Sequence, residues 1–204
     1  MEKASTSKVP RINSFMSENR FSEQFKKVDF TTEILKAKEY EDCTFHECNF
    51  SSCDLSGITF IECTFIGSNL STAKLSKTAF KDCKFTDCKM LGLHFHDCND
   101  FLFEVRFENC VLNLSSFYKL KLKKTVFRNC SLQEIDFSEC DLTGASFDAC
   151  DLSGAIFDRT IIEQADFRTA LNYTFDPENN KIKKAKFSAD GIPGLLTKYN
   201  IIIE

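Results

Sequence analysis

The 204-residue chain has no tryptophan, only three histidines and seven glycines, and no long apolar run. Its apolar stretches are far too short to cross a bilayer, which takes about 20 consecutive apolar residues. No glycine stands in a G-x-G-x-x-G or G-x-x-x-x-G-K-[ST] pattern, so neither phosphate-cradling loop is present. G-x-S-x-G and H-E-x-x-H are also missing, which removes the nucleophile elbow and the zinc-protease helix. His46, His94 and His96 are the whole histidine supply. The last two flank Phe95 and should face outward beside Asp97. A weak surface metal site is conceivable there, but paired histidines on a solvated wall are more often simply that, and no metal ligand, cofactor or catalytic residue is assigned. Carboxylates abound, yet a regular wall offers no deep cleft to perturb them for acid–base work, and the chain reads as a non-enzyme.

What is present is a period of five. From Thr125 to Phe167 a large apolar residue recurs at Phe127, Leu132, Phe137, Leu142, Phe147, Leu152, Phe157, Ile162 and Phe167. Two places before each stands a compact residue, Thr125, Cys130, Ile135, Cys140, Ala145, Cys150, Ala155, Thr160 and Ala165. Neither a 3.6-residue helix nor a 2-residue strand makes such a period. A solenoid does, because each short unit buries its apolar side only when others stack on it. If four units close a turn, residues 20 apart superpose at about 4.8 Å, the strand-to-strand distance. Phe107, Phe127, Phe147, Phe167 and Phe187 then make one column, and Leu112, Leu132 and Leu152 the next. Phe and Leu alternate around the turn, which fits an even number of sides.

Of the 22 phenylalanines, 17 lie on this lattice. Burying each is worth roughly 1.5–3 kcal/mol, so stacked Phe and Leu are the main stabilising contribution. Ten of the eleven cysteines precede an apolar lattice centre by two places, and Cys98 precedes the fivefold site at Asp100. Ala, Ser, Thr and Val take the same slot elsewhere, so Cys43, Cys48 and Cys53 read as small buried groups, not metal ligands. The odd count, with no recognisable signal peptide, points to a reducing cytoplasm.

Residues 1–24 read as a lead-in and 25–190 as the solenoid, beginning with a degenerate capping coil. Phe107 follows Phe95 by twelve residues instead of ten, which predicts a bulge or short loop over Asp97–Phe103. The pattern frays after Phe167, where DPENN has turn chemistry, and returns at Ile182 and Phe187. Residues 191–204 read as a short helix near Gly194–Tyr199 followed by an apolar strand, Ile201–Ile203. An open strand edge invites pairing. Leu195, Leu196, Tyr199, Ile201, Ile202 and Ile203 are therefore candidates for a two-fold interface, with a tail folded back on its own chain the equal alternative.

The tandem A/C-D/N-L/F-x-x pattern over about residues 25–170 resembles the pentapeptide-repeat proteins. That resemblance implies an all-β fold, a right-handed quadrilateral parallel β-helix with one pentapeptide per side. Within that family, FHECNFSSCDLSGITFIECTF, ENCVLNLSSFYKLKL and the terminal GLLTKYNIIIE resemble the Qnr/MfpA branch, which protects DNA gyrase and topoisomerase IV from quinolones. The branch implies a DNA-mimicking acidic rod, dimeric through its C-terminal ends, that binds the topoisomerase and not nucleic acid or membrane directly.

Charge gives that expectation residues. Residues 41–175 hold 20 acidic and 13 basic side chains, a net of −7, against −4 for the chain. Asp42, Glu62 and Asp82 are spaced by 20 and would stack, and Glu47 and Asp87 would lie on a second side. These five are the candidate partner-binding wall, although solubilising charge or turn-forming Asp explains single carboxylates equally well. Asp97, Asn99, Asp100 and Phe101 are the candidate loop, near where the larger Qnr loop would arise. Lys119, Lys121, Lys123 and Lys124 interrupt the acidity of the second segment. A scaffold that binds some protein unrelated to DNA is the alternative reading.

Overall fold

The computed structural model describes residues 19–203. Most of the expected lead-in, 1–24, lies outside them, although Arg20–Phe21 within it already pairs in parallel with Glu39–Glu41. The chain is a parallel β-solenoid with four faces. On one face Arg20–Phe21, Glu39–Glu41, Thr59–Ile61 and Ala79–Lys81 form a four-stranded sheet. On the next, Gln24–Lys26, Thr44–His46, Thr64–Ile66, Cys83–Thr86, Val105–Glu108, Val126–Arg128 and Ser146–Asp148 form a seven-stranded one. The remaining two faces are held by single bridges such as Asn49↔Asn69 and Asp136↔Ile156. The register is 20 residues, as in Phe45↔Phe65 and Phe127↔Phe147.

The residue before the centre biases its face toward strand or turn without fixing it, since Lys89, Val111 and Ser131 hold only single bridges. Thr, Ala, Lys, Arg, Val or Ser precedes Phe45, Phe60, Phe80, Phe85, Phe107, Phe127 and Phe147, all within strands. Where Asp or Asn precedes, its side chain turns the backbone instead. Asp136 Oδ1 accepts the Ser138 N–H at 2.9 Å, Asp54 that of Ser56 at 3.0 Å, and Asp151 that of Ser153 at 3.1 Å. Asp and Asn are poor strand formers for this reason.

Most corners put a residue in the left-handed region, two places after the centre, as with Asp42 at φ 51°, Glu47 at 53°, Glu62 at 52° and Asp82 at 48°. For a non-glycine residue that costs about 1–2 kcal/mol. It is offset because the left-handed residue aims its N–H along the axis, as Asp42 does to the Ile61 carbonyl at 2.9 Å and Glu47 to that of Ile66 at 2.7 Å.

Inside, the rings superpose. Phe107, Phe127 and Phe147 stack at 5.3 and 5.2 Å, and Phe127 meets Phe117 and Phe137 edge-on at 6.1 and 5.8 Å. The compact slot does more than fill space. Cys63 Sγ donates to the Tyr40 carbonyl at 3.3 Å, and Ser68, Thr78 and Thr160 hydroxyls make the same bond to the centre one coil back. The position takes a compact side chain, and one that can donate makes this bond, which explains the interchange of Cys, Ser and Thr. The cysteines are all free, and burial pushes the Cys63 thiol up to about 12.

The slip at 97–103 is one irregular coil. A 3₁₀ turn, Phe95–Asp97, opens it, and across it the register is 22, as in Phe85↔Phe107 and His94↔Ser116, before returning to 20. Phe103 turns inward, edge-on to Phe80 and Phe95 at 6.4 and 6.3 Å, while Phe101 and Leu102 are left outside.

At the far end Phe187 stacks on Phe167 at 5.4 Å, so the lattice does return. Helix Pro193–Leu196 folds over the last coil, where Phe175 N–H donates to the Gly194 carbonyl at 3.2 Å. A Cβ on Gly194 would fall inside contact distance of the Tyr173 backbone oxygen, so only glycine fits. The expected strand Ile201–Ile203 is corrected: among the described residues these form no strand, because the helix, not the tail, covers the final coil.

Candidate partner-binding wall

The five candidate carboxylates all occupy left-handed corners, on two adjacent corner columns. The corner geometry points them off the wall, and the coil repeat stacks them. Ser22 Oγ donates to Asp42 Oδ2 at 2.6 Å, continuing that column one coil upward. Glu62 has no cationic partner within ion-pair distance among the described residues. Asp82 does: Arg106 bridges it to Glu104 at 2.9 and 3.0 Å. On the second column Glu47 pairs with Lys27 at 3.2 Å, which holds its carboxyl below the usual range, and Asp87 accepts from Asn109 Nδ2 at 3.0 Å. Asp42, Glu62 and Asp87 are thus the uncancelled anions, and Glu47 and Asp82 are partly neutralised.

The cations that do this were hidden in the sequence, because pairing runs between coils. Arg128 reaches Glu108 and Asp148, Arg159 reaches Glu139 and Asp158, and Arg168 reaches Asp166. In each case the partners are brought together by the coil repeat or by flanking one corner. A length estimate shows what this does to the field. Residues 41–175 at about 20 per coil and about 4.8 Å per coil extend roughly 32 Å, over which B-DNA carries about 19 phosphates. The rod carries 20 carboxylates over that length but a net charge of only −7. Its anionic density is DNA-like in gross terms and well below it in net terms.

Asp54, Asp136, Asp141, Asp151 and Asp166 belong to a different class. Each accepts its own turn's N–H, and Asp151 is held down to about 2 by the Ser153 hydroxyl, Gln133 and Asn172. They are structural carboxylates first. Glu134 is a further left-handed corner anion that the spacing argument did not reach, since its neighbours in the column are Leu114 and Gly154.

The candidate loop splits. Asn99 Oδ1 caps the Phe101 N–H at 3.0 Å, making a turn that leaves Phe101 and Leu102 as an apolar tip. Asp97 lies apart from that tip, with the histidines: one donor atom from each of His94, His96 and Asp97 lies within 4.8 Å of the others.

The candidate interface residues also divide. Leu195 is in the chain's own core and is not available at the surface. Tyr199 donates to Glu178 at 2.9 Å, and Lys198 pairs with Asp176 and Glu178, so the cap is tied down by polar contacts. Ile201, Ile202 and Ile203 remain 56%, 88% and 54% exposed. No helix among the described residues is long and apolar enough to cross a membrane.

A family model described as "Pentapeptide repeat region" matches residues 38–102, 58–137 and 100–175. Among solved structures, a trypsin-treated form of QnrB1, a plasmid-mediated fluoroquinolone resistance protein, is 20% identical over 92% of this chain and 98% of its own, with a TM-score of 0.46. HetL, involved in heterocyst differentiation regulation in the cyanobacterium Nostoc sp. strain PCC 7120, is 17% identical over 82% and 84%, with a TM-score of 0.38. No curated protein sequence matches the chain.

Proposed function

Since the chain belongs to the pentapeptide-repeat family, we propose that it is a binding rod whose uncancelled corner carboxylates engage the basic DNA-binding surface of a type II topoisomerase, and that this contact guards the enzyme against quinolones. The observation that carries the reading is the column Ser22–Asp42–Glu62, where stacked anions face outward with no cation among the described residues within ion-pair distance of Asp42 or Glu62. Rigidly spaced carboxylates can answer Lys and Arg that otherwise meet phosphates, and such steering weakens as salt rises. The exposed isoleucines 201–203 fit a second copy joined at the C-terminal ends.

The test is gyrase supercoiling under quinolone inhibition. Added chain should restore supercoiling, and Asp42→Asn/Glu62→Gln should restore less. No restoration at micromolar chain would refute the reading. A second reading, a scaffold for a protein unrelated to DNA, is favoured by one observation: ion pairs at Arg106, Arg128 and Arg159 neutralise much of the remaining rod. Affinity capture that recovers another stable partner and no topoisomerase would support it.

A further inference from the structure

We propose that His94, His96 and Asp97 form a binding site for a divalent cation of borderline softness, such as Zn²⁺ or Ni²⁺, at the mouth of the irregular coil. Exposed histidines beside an aspartate are ordinary; what distinguishes these is how His96 is held. Asp136 Oδ1 is occupied by its own turn, leaving Oδ2 to accept the Ser116 hydroxyl at 3.2 Å. Having given its proton to Asp136, Ser116 Oγ accepts, at 3.1 Å, from His96 Nδ1. In the neutral imidazole the relay therefore places the proton on Nδ1 and leaves Nε2 as the metal-binding nitrogen.

That nitrogen faces Asp97 Oδ1 at 3.7 Å. With the imidazole neutral, these are two electron-pair donors set either side of a space that a cation would fill. Zinc–nitrogen and zinc–oxygen bonds of about 2.0–2.2 Å place adjacent tetrahedral ligands about 3.4 Å apart, so a few tenths of an ångström of closure brings this pair to a metal. His94 supplies the third donor: its ring centroid is 5.2 Å from that of His96, and all three donor atoms lie within 4.8 Å. Imidazole with carboxylate suits zinc, nickel or copper over calcium or magnesium, which prefer all-oxygen shells. A carboxylate acting through a hydroxyl on the far ring nitrogen is the outer-shell support that metal-bound histidines usually have.

The 3₁₀ turn Phe95–Asp97 is what makes the cluster. On a regular wall His94 and His96 would be alternate residues about 7 Å apart with Asp97 at the corner. The turn shortens that path, and the coil it opens leads directly to the exposed Phe101–Leu102 tip. Bound metal would pin the start of that coil to the two regular coils carrying Ser116 and Asp136. Three protein ligands leave at least one coordination position open to water or to a donor from a partner.

Zn²⁺ titration of the purified full-length chain by calorimetry, with ¹⁵N spectra of the histidine side chains, tests this. One equivalent should bind at micromolar concentration and shift the His96 Nε2 resonance while Nδ1 keeps its proton. His94→Ala and His96→Ala should each abolish that binding, Ser116→Ala should weaken it 10–100-fold, and Cys98→Ser should leave it unchanged. Absence of binding would overturn the proposal. So would equal affinity in a His94→Ala/His96→Ala double variant, which would move the metal to the thiols, or a free-state spectrum with both His96 nitrogens protonated at neutral pH, which would make His96–Asp97 a plain ion pair.

Discussion

Phe127→Ala removes an interior ring of the longest aromatic column. Phe127 is fully buried, stacked between Phe107 and Phe147 with a 2° interplanar angle to the latter, and touched edge-on by Phe117 and Phe137. Truncating a buried Phe costs about 3–5 kcal/mol in transfer and cavity contributions. Four aromatic contacts put this site toward the upper end, and the stacked coils cannot collapse to fill the void, because their spacing is fixed by main-chain bonds above and below. A loss of about 4 kcal/mol is a large part of a typical 5–15 kcal/mol stability. In a solenoid it also uncouples the coils on either side. Phe187→Ala, at the end of the same column and only half-buried, should cost about 1–2 kcal/mol. Urea unfolding followed by far-ultraviolet circular dichroism reads both, since the chain has no tryptophan. A central variant within 1 kcal/mol of the parent, by the scale of ordinary surface substitutions, or an end variant costing more than the central one, would refute the argument that stacked rings hold the rod.

Asp151, with its carboxyl held down to about 2, contributes stability that is complete above the unfolded value and is lost as pH falls through the folded one. The parent should exceed Asp151→Asn by about 1 kcal/mol at neutral pH, allowing for solvent screening, and the difference should vanish between about pH 4 and pH 2 in acid titrations of urea midpoints. Thiol titration of the native chain at pH 8 should find the buried cysteines silent and Cys53, the one cysteine not fully buried, reacting first, with all eleven reacting in denaturant. Gly194→Ala should displace the C-terminal helix, seen as faster hydrogen exchange of Pro193–Tyr199 with the central coils unaffected.

The periodicity made the four-faced stack legible, because a slot that must hold Phe or Leu at every fifth place leaves few other folds. It could not show that Cys, Ser and Thr share their slot as donors to a carbonyl one coil away, since that bond joins residues 23 apart. The acidic columns were visible by spacing of 20, but the Arg106 and Arg128 bridges cross between coils after the register has changed to 22 or run both ways along the stack. Leu195 and the three isoleucines look alike in sequence, and only the fold of the tail over Phe175 separates the buried one from the exposed ones. His96 looks like any exposed histidine in the sequence, because the ladder sets Ser116 opposite His94, and its contact with His96 is a side-chain one that the register does not show.

Competition is the most direct test of the rod as a stand-in for duplex DNA. Fluorescence anisotropy of labelled duplex bound to purified gyrase, titrated with the chain at two salt concentrations, should show displacement that weakens with salt and with Asp42→Asn/Glu62→Gln. Duplex that stays bound at saturating, folded chain would contradict the account.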